Sequence, residues 1–462
     1  MKLPEASQRA NANIRRLICI RMFFHARFYY PVFFLFFLEH GLTLVDFGIL
    51  NAIWAITIIV LEVPSGALAD TIGRKKLIIF AAICMVAEML ALLLAPMDGS
   101  SAVFFLFALN RLISGVAEAA VSGADEALVY DSIKVAGREE EWTAIMAKVQ
   151  RYTSWAFVFA MMTGSAFYAS EFINELLQII GFDFRFEKDT LIKFPIQLTL
   201  LSSAIVLVAS IGMTDGMVQE RKNSIWETIH ESMRKTKVVA VWFWKSPMPF
   251  AILLGSMVLD NVIRKFLTVG AAYWKIIDYP VATFGLIASA MSLMGVITPS
   301  LAKILVKKNS PAQNFFFLCT VLAIGLFGIV EFIPYWGILP AAMLYFTYQC
   351  MNYFASIYLN KEAESEKRAT VLSFRSLSTN LSYGFVCILF ALLFRRIEKE
   401  NVDNGIKSTE MGGQDAQFTE GISYSQFIEG ISWSPWYFLF TLALVIIFYR
   451  IRFAKKIQTP QE

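Results

Sequence analysis

Long apolar runs alternate with short polar or basic connections along almost the whole chain. Each run approaches the roughly 20 residues that a helix needs to cross the hydrocarbon core of a bilayer. Twelve runs are predicted, at 17–38, 46–64, 77–95, 103–126, 143–169, 194–213, 248–273, 281–305, 313–333, 336–359, 370–394 and 435–453. The fourth and fifth are long enough to call for tilt or for extension beyond the membrane. The runs are continuous rather than alternating, which speaks against a transmembrane β-barrel. The pattern predicts an all-α polytopic membrane protein whose surroundings are the lipid bilayer.

The polar stretches divide the chain. Residues 1–213 carry six runs and residues 247–462 carry six more. Between them, 214–246 is a charged connection in which Trp226, Ile229, Met233 and the segment Val238–Trp242 suggest an amphipathic helix on the membrane surface, with a flexible linker as the alternative. A second polar segment, 395–434, is rich in Glu, Asp, Gly and Ser and is expected to be an extended outer loop.

Composition agrees with the pattern. Of 462 residues 57% are hydrophobic and only 17% are charged, unlike an ordinary soluble domain. The net charge of +4 is spread over short loops, so nucleic acid is not an expected partner. Placement of the basic residues matters more than their total. With the N-terminus inside, Arg15, Arg16, Arg74, Lys75, Lys76, Arg221, Lys307, Lys308, Arg450 and Arg452 share the inner side. The positive-inside rule therefore puts both termini in the cytoplasm and the protein in the cytoplasmic membrane. Arg395 and Arg396 are exceptions before a long loop, where that rule is weak. Cys19, Cys84, Cys319, Cys350 and Cys387 lie in or beside apolar runs, so no structural disulfide is expected. The start of the chain shows no small-residue cleavage site, and the first run is expected to serve as the insertion signal.

Two short patterns resemble a known family. The segment Leu61–Lys76, LEVPSGALADTIGRKK, reads as a tight cationic loop carrying Gly66, Leu68, Asp70, Gly73, Arg74, Lys75 and Lys76 in fixed order. It resembles the signature between helices 2 and 3 of the major facilitator superfamily, with Thr71 in place of the usual basic residue. Arg111–Ala120, RLISGVAEAA, resembles that family's helix 4 pattern, with Ser114 replacing its Gln. The resemblance implies twelve transmembrane helices in two six-helix halves, with alternating access to a central site. It also implies a proton-coupling role for the Arg at 111. The counterpart segment Thr298–Lys308 keeps basic residues but lacks the Asp and paired glycines. The fifth run has Gly164 and no proline, so it lacks the Gly-Pro signature of drug-exporting members.

Ionisable residues inside apolar runs are functional candidates by default. Arg111, Glu118 and Asp125 are spaced by seven, which places them on one helical face. Arg111 and Glu118 are candidates for coupling, against an internal ion pair that merely fixes packing. Asp125 and Glu126 are expected to latch a cytoplasmic gate by pairing with Arg74 or Lys75, with Gly66, Asp70 and Gly73 shaping the turn. Arg27, before Pro31, is a candidate to bind an anionic substrate or to pair with Glu118. In the seventh run Asp260 and Arg264 stand at i and i+4 and are expected to pair, with Asn261 beside them. Gln349, Asn352, Tyr353, Arg375 and Asn380 are weaker candidates for polar lining.

These readings favour a proton-coupled secondary active transporter of a small solute, in which protonation of Glu118 or Asp260 would alter its pairing and shift the balance of states. The alternative is a transporter-like membrane sensor or binding protein without net transport. No enzymatic activity, cofactor or metal is expected: the three histidines form no ligand cluster and there is no phosphate-binding G-x-x-x-x-G-K loop. The expected energy source is the proton gradient, and the expected assembly is a monomer.

Overall fold

A helix lies under every predicted run in the computed structural model, which describes residues 3–214, 225–364, 367–403 and 424–457. The helices are α1 (Leu3–His25), α2 (Phe33–Glu39), α3 (Leu44–Ile72), α4 (Arg74–Leu93), α5 (Ser101–Val121), α6 (Ala124–Val135), α7 (Trp142–Tyr168), α8 (Ser170–Ile180) and α9 (Lys188–Gly212). They continue with α10 (Ile225–Lys245), α11 (Pro247–Ile276), α12 (Phe284–Lys308), α13 (Pro311–Ile329), α14 (Ile338–Glu362), α15 (Arg368–Asp403), α16 (Tyr424–Ser432) and α17 (Ser434–Ile457). Among the described residues there is no strand. Eight helices there are long and apolar enough to cross a membrane, and two bent helix pairs would raise the number to ten.

Four local features differ from the sequence expectation. The first run is broken: α1 stops at His25 and α2 starts at Phe33, with a 3-10 turn at Tyr30–Val32 holding Pro31. Proline lacks the N–H that would continue the ladder. The Phe28 N–H left over by the break donates to Thr199 Oγ1 at 3.1 Å. Gly164 on α7 makes this possible, because a Cβ there would collide with the Phe28 carbonyl.

Second, the segment Leu61–Lys76 is not a loop. α3 continues through Pro64 to Ile72, and the whole connection to α4 is Gly73, at φ 100° and ψ 135°. Third, the fourth run is interrupted. Gly123 adopts a left-handed φ of 75° between α5 and α6. Fourth, the segment 395–434 is helical at both ends, since α15 runs to Asp403 and α16 begins at Tyr424. α16 is packed, with Phe427 buried and Gly430 seated against the Phe394 ring. Residues 404–423 lie outside the described residues.

The connection 214–246 contains the helix α10 at Ile225–Lys245, while 215–224 lie outside the described residues. α10 meets α11 at 101°, and α8 meets α7 at 87°.

The chain forms two compact units. The first comprises Met1–Leu42, Ile53–Met233 and Pro280–Ala290. One core within it joins Leu17, Ile20 and Phe24 of α1 to Leu77, Ala81 and Met85 of α4 and Leu128, Val129 and Ile133 of α6. Within it Gly285 at the start of α12 sits against the Met161 carbonyl, and its N–H donates to Ser165 Oγ at 2.9 Å.

The second unit comprises Thr43–Ala52, Arg234–Tyr279 and Met291–Glu462. α11 runs through its core, buried at Leu259, Ile263, Ala272 and Tyr273. Here Gly48 of α3 approaches α15 so closely that an added Cβ would stand 3.0 Å from Ala391 Cβ. Both glycines remove a side chain where two helices touch, which is the usual means of close helix approach in membranes.

Candidate functional site: buried ion pairs within each unit

In the first unit the break after α1 turns Arg27 inward, to 1% exposure. A charge so buried must be paired. Its Nη1 pairs with Glu88 Oε1 of α4, itself fully buried. Arg27 Nη2 has no hydrogen-bond partner, and Glu118 Oε1 lies 3.7 Å from it. One guanidinium therefore stands between two carboxylates. Glu88 is tightly held. Glu118 is loosely held and partly open, its side chain 31% exposed.

Glu118 opens into a cavity of about 290 Å³ lined by Arg21, His25, Ser122, Asp125 and Glu126 among others. Arg21 fills a second cationic position there. Its Nε lies 2.5 Å from Asp125 Oδ2, and its Nη2 donates to Glu126 Oε1 at 2.9 Å. Asp125 is fully buried.

Arg111 belongs to a different contact set. Its Nε and Nη2 donate to Asn110 Oδ1 at 2.9 and 2.7 Å, and Asn110 Nδ2 donates to the Glu88 carbonyl at 2.7 Å. The guanidinium carbon stands 4.7 Å from the Phe33 ring centroid, a cation–π contact. Arg111 thus reaches Glu88 through Asn110. The heptad face expected of Arg111, Glu118 and Asp125 ends at the Gly123 break, since Asp125 belongs to α6.

The expected latch between Asp125 and Arg74 is replaced by two separate pairs. Asp125 goes to Arg21, and Arg74 at the start of α4 pairs with Asp131 on α6. The left-handed turn at Gly123 breaks the helical register between α5 and α6, and Asp131 rather than Asp125 pairs with Arg74 at the start of α4. The Asp70 side chain lies outside the described residues. Gly73 has the positive φ expected of a glycine-only turn. Gly66 does not mediate a close approach here, because nothing lies within 4 Å of a Cβ built on it.

In the second unit Asp260 and Arg264 of α11 pair as their spacing predicts. Arg264 turns both Nε and Nη2 to Asp260 Oδ2, and its Nη1 donates to Asn380 Oδ1 of α15 at 2.7 Å. Asn261 Nδ2 donates to Ser382 Oγ at 2.8 Å. Arg375 of α15 donates to Asn352 Oδ1 of α14 at 2.6 Å. Three helices thus join the expected Asp260–Arg264 pair to Asn380 and bring Arg375 to Asn352.

The family model described as Major Facilitator Superfamily matches residues 17–387 of this chain. The chain belongs to the major facilitator superfamily. Solved structures of this superfamily's fold align over nearly its full length. A bacterial homologue of the human lysosomal transporter Spinster matches with a TM-score of 0.67 at 14% identity, covering 100% of both chains. The nucleoside transporter NupG, as its D323A mutant, gives 0.63 at 15% identity, covering 94% of this chain and 99% of that one. The D-xylose-proton symporter gives 0.58 at 14% identity, covering 94% and 96%. No protein of curated function matches the sequence itself. At such identities the neighbours show the fold alone: an all-α polytopic membrane protein with the architecture of this transporter superfamily.

Within that superfamily frame, sequence reasoning missed Glu88, Asn110 and Asp131 as partners. Glu88 carried a usable signal, as the single carboxylate inside the apolar stretch Leu77–Leu93. Asp131 carried none, since it lies beyond the predicted fourth run among other polar residues.

Proposed function

We propose that this protein is a secondary active transporter that carries a small solute across the cytoplasmic membrane by alternating access, with protons coupled at Glu118. The observation that supports this most is the sharing of Arg27 between Glu88 and Glu118. With Glu118 ionised, Arg27 is attracted by two carboxylates. With Glu118 protonated, Arg27 belongs to Glu88 alone. Proton binding thereby favours one of two arrangements of α1, α4 and α5, and that differential interaction is what a coupled transporter needs. The partial exposure of Glu118 and its place on the cavity wall give the proton a route that buried Glu88 lacks.

Asp260, held by two N–H groups of Arg264, is read as one half of an ion pair rather than as the coupling carboxylate. Arg27 holds the Glu88 carboxylate, and Arg111 braces the α4 backbone at Glu88 through Asn110, so neither is assigned a proton-moving role. Asn261, tied to Ser382, orders the α11–α15 packing beside the polar cluster. The Arg74–Asp131 and Arg21–Asp125 pairs replace the proposed latch as clasps of the first unit, bracing α4 and α1 against α6. The basic residues near helix ends support cytoplasmic termini.

The reading is tested in proteoliposomes of the purified full chain, using the solute that most raises its melting temperature in a metabolite screen. An imposed pH gradient should drive accumulation of that solute, and a protonophore should abolish it. Accumulation indifferent to the gradient and to the protonophore would count against proton coupling.

A further inference from the structure

More than four residues from the ends of the apolar runs, the charged side chains of the second unit are one carboxylate, Asp260, and three cations, Arg264, Lys265 and Arg375, while Asp46, Lys303, Glu331, Arg450 and Arg452 stand at run ends. Charges inside a membrane helix bundle require partners, so this excess asks for an anion. Lys265 does not face the others: its Nζ stands 3.1 Å from the Phe390 ring centroid, in a small space also lined by Phe47, Cys387 and Phe394. The imbalance is therefore local to Arg264 and Arg375.

Asp260 is shared unequally: Arg375 lies within its electrostatic reach but makes no ion pair with it. The carboxylate is engaged by Arg264 Nε and Nη2. Arg375 has a neutral amide, Asn352 Oδ1, as its hydrogen-bond acceptor, and its buried Nε has no partner. Among the described residues no carboxylate lies within ion-pair distance of Arg375. Tyr348 of α14 lies in the electrostatic reach of Asp260, Arg264 and Arg375 alike, adding a hydroxyl to the same locus. Arg264 and Arg375 are each half-buried as residues rather than fully enclosed.

We infer that Arg375, assisted by Arg264 and Tyr348, forms a docking subsite for an oxyanion, a carboxylate or phosphate group of the transported solute. A planar guanidinium with a spare N–H edge matches such a group in both charge and geometry. Asn352 and Asn380 hold the two guanidiniums in place from the side. This inference rests on the transport reading, and it narrows the solute to one bearing an anionic group.

The test uses the full chain in nanodiscs of phosphatidylcholine alone, titrated with inorganic phosphate and with acetate at constant ionic strength set by chloride. The wild type should show a saturable rise in melting temperature with either oxyanion. Arg375→Met should weaken the apparent affinity by about tenfold or more, as loss of a charged hydrogen bond implies. Arg375→Lys should retain part of it, and its melting temperature without ligand shows that the fold survives. Equal saturable shifts in wild type and both variants, or no saturable shift in the wild type, would overturn the subsite. A phosphate shift abolished in phosphatidylglycerol nanodiscs would assign the site to a lipid headgroup and also overturn it. Oxyanion binding without transport of any solute would uphold the subsite and sink the transport reading. Transport of a solute lacking an anionic group, unaffected by Arg375→Met, would do the reverse.

Discussion

Arg27 and Glu88 form a buried ion pair between the break that follows α1 and the middle of α4, 61 residues apart in sequence. Neither side chain has an alternative in water, so each depends on the other. The pair ties the backbone just after α1 to α4.

Replacing Glu88 with Ala leaves Arg27 buried with only the distant Glu118, which should cost about 3–5 kcal/mol. The double change Arg27→Met with Glu88→Leu removes both charges and should lose less than Glu88→Ala alone. Melting temperatures in detergent of Arg27→Met, Glu88→Leu and the double variant, read as a double-mutant cycle beside Glu88→Ala, check this. A double variant as unstable as the sum of the singles would show that the two residues do not act as a pair.

The glycines separate into three kinds. Gly164→Ala drives a Cβ into the Phe28 carbonyl, a backbone atom that cannot rotate away, and should cost at least about 1–3 kcal/mol. Gly73→Ala must adopt a φ of 100° and should cost about 1–3 kcal/mol. Gly66→Ala meets nothing and lies inside α3, so it should be neutral or stabilising by up to about 1 kcal/mol. Thermal unfolding of the three variants checks the ranking. A Gly66→Ala loss as large as that of Gly164→Ala would mean that the LEVPSGALADTIGRKK motif is packed in a way the structure does not have.

Arg21 and Arg74 each bridge to α6, but their burial differs. Asp125 is fully buried, so Arg21→Ala should cost about 3–5 kcal/mol. The Arg74–Asp131 pair is partly exposed on both sides and should contribute no more than about 1 kcal/mol. Unfolding of the two alanine variants at low and high salt is the check: high salt should narrow the Arg74 effect and leave the Arg21 effect. The opposite order would return the latch to Arg74.

Much of the fold was legible because spanning helices announce themselves by length and apolar content, both local properties. The Asp260–Arg264 pair was legible for the same reason, being set by helical spacing within one element. Gly73 was legible as a forced turn, though its surroundings were read as a loop when both sides are helix; the polar residues of Ala67–Lys76 disguised helical backbone. Asp125 was misassigned because a seven-residue spacing presumes an unbroken helix, and Gly123 breaks it. Arg27–Glu88 and Arg375–Asn352 were not legible as pairs, because only tertiary packing brings α4 to the α1 break or α14 to α15. The end of the supposed outer loop was hidden too: Phe427 and Gly430 are few in a polar stretch, yet they suffice to seat α16 on Phe394.

The central claim is that Glu118, competing with Glu88 for Arg27, is where the proton binds. It is tested most directly in proteoliposomes containing a trapped pH-sensitive dye, comparing wild type with Glu118→Gln on addition of the screened solute. Glu118→Gln mimics the protonated residue, so it should still exchange labelled for unlabelled solute across the membrane. It should carry no protons with the solute, whereas the wild type should change the internal pH. Proton movement per solute equal to that of wild type in Glu118→Gln would contradict the account.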